Sequence, residues 1–330
     1  MSYKNNIRWG IIGCGDVTEV KSGPAYQLTE GFELKAVMRR NAEKAQDYAQ
    51  RHKVEKHYSN ADELINDPEI DAVYIATPPD AHLHYALKVA EAGKICCIEK
   101  PLAPSYSESL IIYESFKKKN LPLFVAYYRR SLPRFTQIKT WLENNEIGEV
   151  RHINWKLTSL PKAIDLTGEY NWRTDSDVAT GGYFDDLASH GLDFFVYLLG
   201  EMTNVAGFST NQQGHYTAKD AITACWMHKG GITGSGYWNF GVEQEEDIVE
   251  IIGSKGTIKF SVFKEEKVVI KTGNTTLELD IDHPKHVQLH HVENMKKDLF
   301  EDEFSHPSKA SEAVHVSWVM DKILGKLNDK

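Results

Sequence analysis

Residues 9–20 read WGIIGCGDVTEV, an apolar run that stops at Gly13 and Gly15 and passes straight into a polar, helix-forming segment. Glycines at 13 and 15 let the backbone turn sharply and come close to a diphosphate, whose charge suits the N-terminus of the helix that Asp16 and Val17 open. A Gly-X-Gly pair also makes plain turns, and Thr18 stands where the full dinucleotide fingerprint has Gly or Ala. The surroundings therefore decide the reading.

Moving outward, short apolar runs alternate with amphipathic segments as far as residue 127: IRWGII (7–12), ELKAVM (33–38), DAVYIA (71–76), KICCIE (94–99) and LPLFVAY (121–127). Strands alternating with helices predict βαβ units and a parallel sheet, and that context makes the glycine pair a Rossmann nucleotide site. Asp80 is placed to cap a helix running through Ala92, Gly93 to end it, and Ser105 with Glu108 to form a capping box. Beyond Tyr128 the pattern changes. A helix near 134–145, a strand near 150–158, a long polar loop and a helix over 183–199 lead into several short β-rich runs between 203 and 280. Those runs predict an antiparallel sheet. Helices near 286–304 and 308–327 follow. The chain has 330 residues and domains run to ~100–200, so it divides into a Rossmann domain at 1–127 and a second domain at 128–330. The fold class is α/β: a Rossmann parallel sheet, then an α+β domain with a large, mostly antiparallel sheet.

The composition, 41% hydrophobic and 26% charged, is that of a globular protein. A net charge of −9 argues against a nucleic-acid partner, which needs clustered cations to displace counterions. The one basic run, Lys117 to Lys119, falls where a helix should end and complements its dipole. Three of the four cysteines (Cys14, Cys96, Cys97, Cys225) lie in apolar runs, which predicts buried thiols in a reducing compartment. The first residues have no apolar leader core, and nothing approaches the ~18 apolar residues of a membrane span, so no membrane partner and a cytoplasmic location are expected. His283, His286, His290 and His291 lack the spacing of a metal site, and no metal is expected.

The end of the second strand ordinarily carries a carboxylate that accepts a hydrogen bond from the ribose 2′-hydroxyl. Here ELKAVMRRN presents Arg39 and Arg40. A guanidinium binds a 2′-phosphate in a forked contact that a carboxylate would repel, so NADP is favoured over NAD.

Four stretches in order, GIIGCGDV (10–17), IATPPDAH (75–82), CIEKP (97–101) and GGYFDDLASHGLD (181–193), make the chain resemble the glucose-fructose oxidoreductase, inositol dehydrogenase and MocA-type family. The resemblance implies a Rossmann domain followed by a substrate-binding α/β domain whose open sheet often serves as an oligomer interface, with a homo-oligomer, a dimer first, expected here. It places Thr77, Pro78 and His82 along the cofactor, and Glu99 and Lys100 in the family's Glu-Lys-Pro motif. It also puts Lys100 beside the nicotinamide and the reacting hydroxyl and implies a cis Lys100–Pro101 peptide. Arg129, after the last Rossmann strand, joins the cofactor residues, and Trp172 with Arg173 resembles the substrate loop. Asp186 and His190, four apart on one helix, share a face and can reach one substrate.

These assignments lead to reversible oxidation of a secondary alcohol of a sugar, polyol or cyclic diol. His190 exchanges the proton, since histidine titrates near ~6.5, while Lys100 orients the hydroxyl and Asp186 anchors a neighbouring one. Two readings stay open beside it: a glycosidase that uses its nicotinamide transiently, and a non-catalytic NAD(P)-binding regulator.

Overall fold

A computed structural model describes residues 6–327. Along the chain come β1 (Ile7–Ile12), α1 (Asp16–Val20), α2 (Gly23–Leu28), β2 (Phe32–Met38), α3 (Ala42–His52), β3 (Lys56–Tyr58), α4 (Ala61–Asn66), β4 (Ala72–Ile75), α5 (His82–Glu91), β5 (Ile95–Ile98), α6 (Tyr106–Lys118) and β6 (Leu123–Val125). Then follow α7 (Pro133–Glu143), β7 (Val150–Thr158), α8 (Ala163–Thr167), α9 (Tyr183–Leu199), β8 (Met202–Thr210), β9 (Ala221–His228) and β10 (Thr233–Asn239). The chain closes with β11 (Glu246–Gly253), β12 (Gly256–Phe260), β13 (Val268–Thr272), β14 (Thr275–Leu279), α10 (Leu289–Phe300) and α11 (Ala310–Ile323).

The first of two units holds the chain up to Ala103, Ser107–Leu132 and Pro284–Val314. A single cut at residue 127 therefore has to be corrected: the chain returns. The physical reason lies in α10, whose Val292 and Met295 are fully buried in the same core as Ile7, Trp9 and Ile11 of β1. The unit's sheet runs β3-β2-β1-β4-β5-β6, every pair parallel. All residues of β4 and β5 are buried, as continuous apolar runs covered on both faces should be. Within this core Trp9 packs tilted against Tyr26, centroids 4.8 Å apart, and Tyr26 stacks on Tyr74 at 5.1 Å. Strand order reverses between β1 and β4, and such a switch point opens a ligand crevice at the carboxyl ends of the strands. The three-residue edge strand β3 has too little alternation to announce itself.

Asp80 does not cap α5. It sits inside a 3-10 turn, Pro79–Ala81, and α5 starts behind Ala81 with no side-chain cap. Pro79, with its fixed φ and missing N–H, suits the first position of that tighter turn, which starts ahead of Asp80. Gly93 does end the helix region, at φ +71°.

The second unit holds Pro104–Tyr106, Pro133–His283 and the chain from His315. Its sheet runs β14-β13-β12-β11-β7-β10-β9-β8, antiparallel except for the pair β7–β10. Ile222, Ala224, Trp226 and His228 of β9 are buried while Thr223 and Cys225 between them are exposed, the alternation of a sheet with one covered face. Helix α9 provides cover: Phe184 meets Trp238 and Phe195 meets Trp155 edge-on, at 5.1 and 5.7 Å. It comes so close that a Cβ on Gly191 would lie 2.4 Å from the Trp155 ring, so no larger residue fits there. No helix among the described residues is long and apolar enough to cross a membrane.

Candidate functional site

In the first unit the turn between β1 and α1 is set by Gly13, at φ +93°, where a Cβ would come within 2.9 Å of the Ala76 carbonyl oxygen and of Thr77. Only glycine fits that turn. Gly15 differs: its Cβ would meet nothing nearer than the Gly13 carbonyl oxygen at 3.8 Å, so its bare backbone is open to a ligand. The N–H groups of Gly15, Asp16 and Val17 make no hydrogen bond within the described residues, while those of Gly13 and Cys14 both bond the Met38 carbonyl. Three N–H donors over an open glycine fit the diphosphate of a dinucleotide.

Thr18 does not spoil the packing. Its hydroxyl donates to the Gly15 carbonyl at 2.7 Å, its carbonyl accepts from Tyr48 Oη at 2.8 Å, and the residue is fully buried. The close approach falls instead to Gly23, whose Cβ would sit 2.3 Å from the Thr18 carbonyl oxygen.

Beside this turn lies a cavity of about 430 Å³, lined by Gly13, Gly15, Arg39, Arg40, Lys44, Thr77, Pro78 and Tyr85 among others. Three cations and no carboxylate face it. Arg39 and Arg40 come from the end of β2, and Arg39 Nη1 donates to the Cys14 carbonyl at 3.3 Å. Lys44, which the sequence reading did not single out, enters from the first turn of α3, where Asn41 Oδ1 accepts from its backbone N–H at 2.9 Å. Its signal was the Asn cap followed three residues later by a basic side chain.

His82 lies behind this cavity rather than on it. It is fully buried; Nε2 faces the Thr77 carbonyl at 2.9 Å, and Nδ1 faces those of Pro101 and Leu102 at 3.1 Å each. Burial lowers its pKa. The ring ties the loop after β4 to the loop after β5, a bracing role that the motif's letters do not distinguish from a cofactor contact.

Glu99 is likewise a brace. Its buried carboxylate accepts from Tyr74 Oη at 2.5 Å, Gln288 Nε2 at 2.7 Å and the Lys100 N–H at 3.1 Å. Those bonds fix the backbone of Lys100 at the carboxyl end of β5, and the Lys100–Pro101 peptide is cis, as the resemblance implies. Arg129 is buried with its guanidinium 5.1 Å from the Tyr128 ring centroid.

In the second unit, α9 carries Asp186 in its first turn and His190 one turn further. Asp186 Oδ2 accepts from Arg173 Nε at 2.7 Å, and that guanidinium stacks on Trp172, 4.4 Å from the ring centroid. His190 is buried, with Phe263 edge-on to its ring at 6.0 Å. Phe263 was not visible in the sequence pattern, since it reaches His190 from the segment after β12. Its backbone N–H is held by Asp247 Oδ2 at 2.6 Å, and Asp247 also accepts from Trp155 Nε1 at 2.9 Å.

A knot holds the loop before α9. Tyr183 Oη donates to Asp165 at 2.8 Å, Asn171 Nδ2 donates to Tyr183 Oη at 3.0 Å, and Asn171 Oδ1 accepts the Arg173 N–H at 3.2 Å. Gly182, at φ +64°, turns the chain into α9. Next to Asp186, Asp185 is buried and accepts the Gly181 N–H at 2.8 Å; burial pushes its carboxyl up to about 6.

Comparison with known proteins agrees with both halves. A model of the GFO/IDH/MocA oxidoreductase family, NAD-binding Rossmann fold, matches residues 7–127, and one of the GFO/IDH/MocA C-terminal domain matches residues 135–259. Oxidoreductase P35 of Formosa agariphila is 40% identical over 98% of this chain and 99% of its own. Levoglucosan dehydrogenase of Pseudarthrobacter phenanthrenivorans is 34% identical over 61% of this chain and 53% of its own. The solved structure of a levoglucosan dehydrogenase in complex with NADH superposes with a TM-score of 0.83, at 23% identity over 96% of both chains, and so shares the fold. The open glycine turn thus has its explanation in descent as well as in geometry: this chain belongs to the GFO/IDH/MocA family and is an NAD(P)-dependent oxidoreductase.

Proposed function

We propose that the chain reversibly oxidises a secondary alcohol of a sugar, polyol or cyclic diol, with Lys100, Asp186 and His190 serving one reaction. The nicotinamide, when bound, accepts or returns the hydride. Lys100 holds the reacting hydroxyl and stabilises the developing alkoxide charge, His190 takes or returns the proton, and Asp186 accepts a hydrogen bond from a neighbouring hydroxyl. The observation that carries this reading is the brace at Glu99, whose three hydrogen bonds fix the backbone of the one lysine at the carboxyl end of β5. A relative named levoglucosan dehydrogenase supports a sugar-like substrate.

For the cofactor, Arg39, Arg40 and Lys44 in a cavity without a carboxylate favour NADP over NAD, because a 2′-phosphate gains three cations there.

The roles are tested by His190→Ala and Lys100→Met in the full chain. Each lowers kcat by roughly 100-fold or more, as loss of a general acid–base or alkoxide-stabilising group does, while NADPH titration gives an unchanged Kd. Near-normal turnover in His190→Ala would end its assignment as the proton carrier.

A further inference from the structure

Lys162 is a cation whose neighbouring anions are taken. It stands just before α8, and its backbone N–H donates to Asp165 Oδ2 at 3.3 Å. Its ammonium lies over the Tyr183 ring, 3.9 Å from the centroid, and pairs with no carboxylate among the described residues. The two acids whose charge it feels are Asp186 and Asp165. Asp165 accepts from Tyr183 and Asn171, and Asp186 from Arg173. Desolvation beside the Tyr183 ring lowers the lysine's pKa while Asp186 acts to raise it, and the residue stays exposed, so an arriving anion can reach an ammonium that has no ion pair among the described residues.

The position is fixed rather than incidental. Tyr183 and Asp165 are both buried, and the knot they form with Asn171 holds the segment bearing Lys162 against the start of the helix that carries Asp186 and His190. Trp172 and Arg173 leave the same knot through Asn171 Oδ1. Hydroxyl recognition and a spare positive charge therefore belong to one rigid assembly within the second unit.

We propose that Lys162 is a specificity-determining residue that selects substrates bearing a carboxylate beside their hydroxyls, the sugar-acid class, over neutral sugars. This rests on the carbohydrate-oxidising reading above. A sugar acid offers a hydroxyl to Asp186 and its carboxylate to Lys162, whereas the corresponding neutral sugar leaves the ammonium without a counter-ion. Arg173 is already ion-paired through its Nε to Asp186, whereas Lys162 makes no ion pair among the described residues.

The test compares wild type, Lys162→Met and Lys162→Arg, as full chains, on two matched pairs: D-galactose with D-galacturonate, and D-glucose with D-glucuronate. Methionine keeps an unbranched apolar side chain and removes the charge, so an unchanged Tm certifies the fold. The wild type prefers the acid of at least one pair. With that acid Lys162→Met raises KM about tenfold, the value of one charge-assisted hydrogen bond, and leaves kcat within about twofold. Its KM for the neutral sugar is unchanged, and Lys162→Arg retains the preference. Added salt raises the wild-type KM for the acid and leaves that of Lys162→Met flat. A wild type indifferent to the carboxylate, or a Lys162→Met that loses both members of a pair equally, overturns the proposal. Calorimetric titration of the two acids into NADPH-loaded protein reads the same residue without turnover. If no sugar changes the nicotinamide redox state, the carbohydrate-oxidising reading fails, yet weaker acid binding by Lys162→Met still supports Lys162 and equal binding overturns it.

Discussion

In the first unit the turn after β1 presents backbone: three N–H donors beside an open glycine, framed by a turn that no side chain could enter. In the second unit the candidate groups are all side chains, and each is held by another, as Arg173 is by Asp186, Tyr183 by Asp165 and Phe263 by the Trp155–Asp247 bond beneath it. Backbone recognition depends on local conformation and serves whatever diphosphate is presented. Side-chain recognition depends on distant residues meeting, and can be retuned by exchanging one of them. Under the proposed function, cofactor binding falls to a fixed part of the molecule and substrate choice to an adjustable one.

Three substitutions press on that contrast. The largest effect is expected at Gly13→Val, where a β-branched residue at positive φ would also strike the Ala76 carbonyl. NADPH affinity falls roughly 100-fold, the equivalent of ~3 kcal/mol of strain, and fluorescence titration measures it. A Kd within about threefold of wild type would mean that the backbone turn is not what holds the nucleotide.

Asp185→Asn is next. The native carboxyl, held up to about 6 by burial, is favoured protonated in the folded state, so its contribution is fully present below the unfolded carboxylate range and is lost as pH rises through about 6. Removing the charge should therefore stabilise the protein at pH 8, by at most about 3 kcal/mol, and do nothing of the kind below pH ~4. Denaturant melts at the two pH values decide, and a variant less stable at pH 8 than at pH 4 relative to wild type would contradict the buried-acid account.

The smallest effect belongs to Lys44→Ala. Lys44 is an exposed cation of the nucleotide cavity, and its loss should lower the ratio of NADP to NAD kcat/KM about fivefold, with NAD kinetics unchanged. An equal loss with both cofactors would remove Lys44 from 2′-phosphate recognition.

The same contrast explains what could be read in the sequence. β1, Gly13 and Gly15 were legible because a strand, a turn and a helix are local, and β7 and α9 because their periodicity is long and unbroken. Asp186 and His190 were legible as a spacing on one helix. Lys162, Phe263 and Lys44 were not, because each acquires its place only when separate segments fold together. His82 and Glu99 were found by motif but not understood: letters do not say whether a residue faces a cavity or braces its wall, and here both brace. The return of α10 to the first core was hidden for a related reason. Val292 and Met295 mark a buried helix face, but periodicity does not say which core receives it.

The central proposal is that this chain moves hydride between a nicotinamide and a carbohydrate-like alcohol. The most direct measurement is a panel of aldoses, sugar acids, polyols and cyclic diols, run with NADP and NAD in parallel while nicotinamide absorbance is followed. The account predicts net NADPH formation with at least one hydroxyl substrate, faster with NADP than with NAD, and abolished in Lys100→Met. Tight nucleotide binding with no net change in nicotinamide redox state across the whole panel would contradict it.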